Sequence, residues 1–152
     1  MARASILHIA SHGILNSAHP ALSGLALSMV DQRGRQTEGI LHLYDVLNLK
    51  LSANLVVLSG CQTGLGRAIE GEGLVGLSRA FMYAGAPRVM ASLWEVDDLA
   101  TANLMGRFYR GLLVDKLGPT AALAAAQRAM RRDPRWRSPY YWAAFTVIGD
   151  WR

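Results

Sequence analysis

The chain holds one cysteine and four histidines, and two of these residues, His12 and Cys61, share a setting. Each follows a short apolar run. Residues 5–10 (SILHIA) lead into Ser11-His12-Gly13, and residues 54–59 (NLVVLS) lead into Gly60-Cys61-Gln62-Thr63-Gly64. A free thiol titrates near pH ~8.5, so little of it is thiolate at neutral pH. A histidine beside it supplies the base or cation that nucleophilic work requires. Gly13 and Gly60 let a substrate backbone come close, and backbone N–H groups there can form an oxyanion hole. The competing reading of a lone cysteine is an inert core residue, since free Cys is among the most buried types.

A third apolar run, residues 88–94 (RVMASLW), ends in Glu95-Val96-Asp97-Asp98. Carboxylates at that position can line a pocket beside the thiolate and receive a guanidinium or ammonium group. Helix capping explains the same acids, because Asp is favoured at a helix N-terminus.

The elements that must position these groups alternate. A fourth apolar run covers residues 142–148, stopped by Gly149-Asp150. Short runs apolar on both faces suit strands of a buried parallel sheet. Helical spacing links Leu74, Leu77, Phe81 and Ala84 over residues 73–84, with Gly85 as a stop. Met105, Phe108, Tyr109 and Leu112 stripe residues 98–117. Gly118-Pro119 breaks the chain before an alanine-rich helix over residues 121–132, closed by Asp133-Pro134. Leu25-Ala26-Leu27 and residues 40–43 flank a polar stretch and read as a hairpin, and residues 45–50 as a short helix before the second run. Strands alternating with helices define the α/β class, in which ligands bind beyond the carboxyl ends of the strands. His12, Cys61 and the acids at residues 95–98 all stand at such ends.

Composition bounds the rest. A length of 152 residues suits one domain, and 51% hydrophobic with 18% charged residues is ordinary for a globular protein. There is no repeat or low-complexity stretch. The N-terminal residues do not form a signal peptide, no run approaches a membrane span, and the single cysteine cannot form an internal disulfide; a cytoplasmic protein is expected. Between residues 128 and 137, Arg128, Arg131, Arg132, Arg135 and Arg137 face a single acid, Asp133, and carry most of the net charge of +5. With Trp136 among them the stretch has residues that can bind nucleic acid, but the expected role is a solvated helix end complementing the helix dipole.

His12 precedes Cys61 by 49 residues, close to the ~50 of the caspase pattern. Residues 6–13 (ILHIASHG) resemble the histidine strand of CHAT domains, caspase-like peptidase domains often joined to tetratricopeptide repeats. Residues 55–66 (LVVLSGCQTGLG) resemble their cysteine strand. Gly71-Glu72-Gly73-Leu74, Ala84-Gly85-Ala86, Ser92-Leu93-Trp94-Glu95-Val96-Asp97-Asp98 and Tyr141-Trp142-Ala143-Ala144-Phe145 follow in family order. The resemblance implies a three-layer caspase-like fold, its mostly parallel sheet ordered 2-1-3-4-5-6 with an antiparallel last strand. It implies His12 as base, Cys61 as nucleophile, and the Gly13 and Cys61 amides as oxyanion donors. A further likeness to separase implies that Asp98, with Asp97 and Glu95 beside it, receives a basic side chain before the scissile bond. It also implies two strands ahead of the histidine strand that this chain lacks. Residues 5–10 are then expected at a sheet edge, in a fragment, a truncated gene product or one part of an assembly.

Two other motifs compete. Gly71-Glu72-Gly73-Leu74-Val75-Gly76 matches a dinucleotide fingerprint, but no strand immediately precedes it and Glu72 would repel a pyrophosphate. His8 and His12 have the spacing of a helical zinc pair, yet on a strand they sit far apart, and His8 reads as a satisfied packing histidine. The expected function is therefore a cysteine endopeptidase acting on a protein or peptide substrate through Cys61 and His12. It needs no metal or cofactor. Its partners are tetratricopeptide repeats or a chain supplying the missing strands, rather than nucleic acid or membrane. The alternative is a non-catalytic regulatory or protein-interaction module.

Overall fold

A computed structural model describes residues 5–14, 16, 18–59 and 72–150. In chain order these form β1 (Ile6–Ile9), β2 (Gly13–Ile14), β3 (Gly24–Ala26), β4 (Ile40–His42), α1 (Leu43–Leu47), β5 (Leu55–Leu58), α2 (Glu72–Tyr83), β6 (Arg88–Ser92), α3 (Asp98–Leu113), α4 (Pro119–Arg132) and β7 (Phe145–Gly149).

The main sheet has the order β1-β5-β6-β7. Its first three strands are parallel and β7 runs antiparallel to β6. This is the mixed α/β sheet with an antiparallel last strand that the motifs imply. Alternation along β5 divides its side chains between two cores. Leu55 and Val57 join Met90, Leu104, Phe108, Leu123 and Met130 on the face covered by α3 and α4. Val56 and Leu58 join Val46, Leu77, Phe81, Val89 and Ala91 on the face covered by α1 and α2. Every residue of β5 is buried, which is why the segment reads as a continuous apolar run.

Three helix boundaries follow from local chemistry. Pro119 starts α4, two residues before the expected position, since its fixed φ suits the first turn and its missing N–H costs nothing there. α3 ends at Leu113, short of the expected 117. α2 ends through Gly85, where φ is +116° and a Cβ would lie 2.6 Å from the Leu51 carbonyl oxygen. The Ala86 N–H then bonds back to the Phe81 carbonyl at 3.1 Å.

The expected hairpin is β3 with β4, paired antiparallel from Gly24↔His42 to Ala26↔Ile40. β2 adds to it, forming a second, three-stranded sheet in the order β2-β3-β4. β7 begins at Phe145 rather than residue 142. A 3-10 turn at Pro139–Tyr141 occupies the approach, and the Gln127 side-chain amide donates to the carbonyls of Trp142 and Phe145 at 3.1 and 3.0 Å. The short helix α1 starts at Leu43 instead of 45, where the Asp45 carboxylate accepts from the His42 N–H at 3.0 Å.

Candidate active site

The register of the main sheet aligns Ile9 with Leu58 and Leu58 with Ala91. Counting three residues onward from this row reaches His12, Cys61 and Trp94 in turn. Parallel strands leave the sheet at the same end, so the segments that follow β1 and β6, with His12 and Trp94, start from one edge of the sheet. Cys61 and Gly60 lie outside the described residues.

His12 combines a fixed backbone with a free side chain. Its carbonyl accepts the Ala26 N–H at 2.8 Å, and the neighbouring Ser11 hydroxyl donates to the Ala26 carbonyl. The His12 residue is exposed, and its ring makes no hydrogen bond or ion pair among the described residues. Gly13 opens β2 opposite Leu25. Because residues 12 and 26 form the hydrogen-bonded pair, alternation makes 13/25 the non-bonded pair, and the Gly13 N–H points away from β3.

His8, next to last in β1 and on the α3 side, is held instead. Its Nε2 bonds to the Ser59 hydroxyl and its Nδ1 to the Tyr109 hydroxyl at 2.9 Å. Ser59 is buried and Tyr109 half-buried. Burial pulls the His8 pKa below its ordinary 6.5, although the residue keeps solvent access at the sheet edge. Burial likewise pushes the Tyr109 phenol up to about 12. A neutral imidazole offers one donor and one acceptor, which two hydroxyls can answer in either sense; an imidazolium needs both to accept. This Ser59–His8–Tyr109 chain ties β1, β5 and α3 together and is the feature that sequence reading missed. The signal available was the shared face of His8 and Ser59; Tyr109 read only as part of an apolar stripe.

Beyond β6, the acids separate. Asp97 is the N-cap of α3, its carboxylate accepting from the Ala100 N–H at 2.8 Å. Asp98 and Glu95 are exposed, with no hydrogen bond or ion pair among the described residues. Trp94 Nε1 donates to the Tyr140 carbonyl at 3.1 Å, which ties the loop to the approach to β7. Among the described residues no cluster of His, Cys, Asp and Glu has a metal-binding arrangement, and no helix is long and apolar enough to cross a membrane.

A three-layer α/β domain built on a mostly parallel sheet with an antiparallel last strand is of the caspase-like class. The family model described as "CHAT domain" matches residues 1–150, and the chain belongs to that family. Tetratricopeptide repeat protein 28 of Mus musculus is 40% identical over 113 residues, covering 74% of this chain and 4% of that protein. Its Homo sapiens counterpart is 37% identical over 113 residues, with the same coverage of 74% and 4%. The chain thus spans a small fraction of the length of these relatives.

Proposed function

We propose that this domain is a cysteine endopeptidase in which Cys61 is the nucleophile and His12 its base. The observation that carries the reading is the register: His12 and Cys61 each stand three residues beyond the paired positions Ile9 and Leu58 of adjacent parallel strands. The His12 ring, without a partner among the described residues, and the Gly13 N–H that points away from β3 support it. In the first step His12 takes the thiol proton and Cys61 Sγ bonds to the scissile carbonyl carbon. The Gly13 and Cys61 N–H groups hold the oxyanion. His12 then gives its proton to the leaving amine as the C–N bond breaks. Water, deprotonated by His12, hydrolyses the thioester and frees the thiol. Asp98, flanked by Glu95 and Asp97, receives a basic side chain before the cut.

The test is a peptide-library cleavage assay on the 152-residue chain, with and without supplied tetratricopeptide-repeat regions. Cleavage after arginine or lysine that disappears in Cys61→Ala supports the reading; turnover unchanged in Cys61→Ala contradicts it.

A second reading, a protein-interaction module acting in the cytoplasm, is favoured by one observation. Among the described residues β1 is paired on one side only, and such an edge can accept a partner's strand. Binding of a strand-forming peptide that pairs with β1, with no cleavage under any condition, would favour it.

A further inference from the structure

At the junction of α4 with the approach to β7, the surface folds into an open concavity of about 680 Å³. It is lined by Arg128, Arg131, Arg132, Arg137, Pro139 and Trp142, none of which belongs to the candidate active site. We propose that it is a binding site for a small anion carrying several phosphate groups.

Among the described residues the four guanidinium groups have no partners of their own. The local acid, Asp133, is already engaged: its carboxylate takes Arg135 at 2.9 Å and Arg107 at 3.8 Å, and the Arg135 hydrogen bonds hold its pKa below the ordinary carboxylate range. Arg128, Arg131, Arg132 and Arg137 make no hydrogen bond or ion pair among the described residues. Arg128 stands three and four positions before Arg131 and Arg132 on α4, so these like charges repel along one helix face. The helix dipole explains Arg131 and Arg132 in the last turn. It does not explain Arg137, which reaches the same concavity from beyond the helix.

The geometry fits one ligand chemistry. A guanidinium fork binds phosphate oxygens in pairs, and a cleft walled by one sign of charge concentrates the counter-ion. Pro139 and Trp142 supply the apolar part of the wall. The volume matches sites for small molecules, commonly about 300–1,000 Å³, rather than an extended stripe along a nucleic-acid backbone. Four cations without a partner among the described residues match a polyphosphate better than a single phosphate.

The probe is inorganic triphosphate, titrated calorimetrically into the full chain at physiological salt. Saturable one-to-one binding is expected, at least tenfold tighter than for inorganic phosphate. The double variant Arg131→Gln/Arg132→Gln should weaken it tenfold or more with an unchanged far-ultraviolet circular dichroism spectrum. Phenylglyoxal modification of the unaltered chain, read by mass spectrometry, gives a second test that needs no variant. Triphosphate should protect Arg131, Arg132 and Arg137 but leave exposed Arg33 reactive. The proposal is overturned by absence of saturable binding, by equal protection of Arg33, or by a single-stranded oligonucleotide that binds these arginines and is not displaced by triphosphate.

Discussion

At the ends of β1 and β6 two pairs of like residues divide structural from available chemistry, and they do so by different means. Along β1, His8 is tied through both ring nitrogens to Ser59 and Tyr109, while His12, four residues on, has only its backbone bound among the described residues. After β6, Asp97 spends its carboxylate on the first turn of α3, while Asp98, the next residue, remains exposed. The first division comes from tertiary contact across the sheet, the second from a helix boundary one residue wide. A residue type at a strand end is therefore not yet a functional group; what its neighbours leave unsatisfied decides its use.

The largest effect should separate the histidines. His12→Ala should lower peptidase turnover by about 10²- to 10⁴-fold, the usual contribution of a positioned base, with little change in melting temperature. His8→Gln should spare turnover by comparison. Equal losses from both substitutions would erase the division.

The acids should separate next. Asp97→Ala removes an N-cap and should cost about 1 kcal/mol in denaturant unfolding. Asp98→Ala should stay within about 0.5 kcal/mol of the parent, as surface substitutions do, while losing cleavage after basic residues. If Asp98→Ala keeps the preference and only melts earlier, the acid is structural.

Tyr109→Phe removes one hydrogen bond of the His8 chain and should cost about 1 kcal/mol, less if water replaces the hydroxyl. The smallest effect is on pH dependence. Because burial lowers the His8 pKa from 6.5, the unfolded chain binds the proton more readily. This contribution is complete above pH 6.5 and is lost as pH falls from there through the lowered folded value. Urea unfolding between pH 7 and 5 should show that slope, and His8→Gln should flatten it.

The sheet was legible because β5 and β6 are buried on both faces, so hydrophobicity alone marks them. β2 was not, since two residues show no periodicity. β7 starts later than the sequence suggests because Trp142-Ala143-Ala144 is as apolar as a strand, and only the Gln127 amide and the preceding 3-10 turn reveal a bend. His12 and the Trp94–Asp98 loop are legible as candidates because they stand at the ends of apolar runs. The Ser59–His8–Tyr109 chain was not, because its longer link joins residues 101 positions apart. Which acid caps α3 depends on the helix starting at residue 98, finer than residue type can specify. The arginine cluster read as charge on a helix end; its concavity arises only when Arg137, Pro139 and Trp142 fold back against α4.

The central claim is that His12 activates Cys61, and the alkylation rate of Cys61 tests it without a substrate. Iodoacetamide should label Cys61 of the native chain near pH 7 faster than it labels a simple thiol, since a cation or base beside a thiol raises its thiolate fraction. His12→Ala should bring the rate down to that of the simple thiol, and His8→Gln should not. A Cys61 that is inert in the folded protein, or one whose rate is indifferent to His12→Ala, would contradict the account.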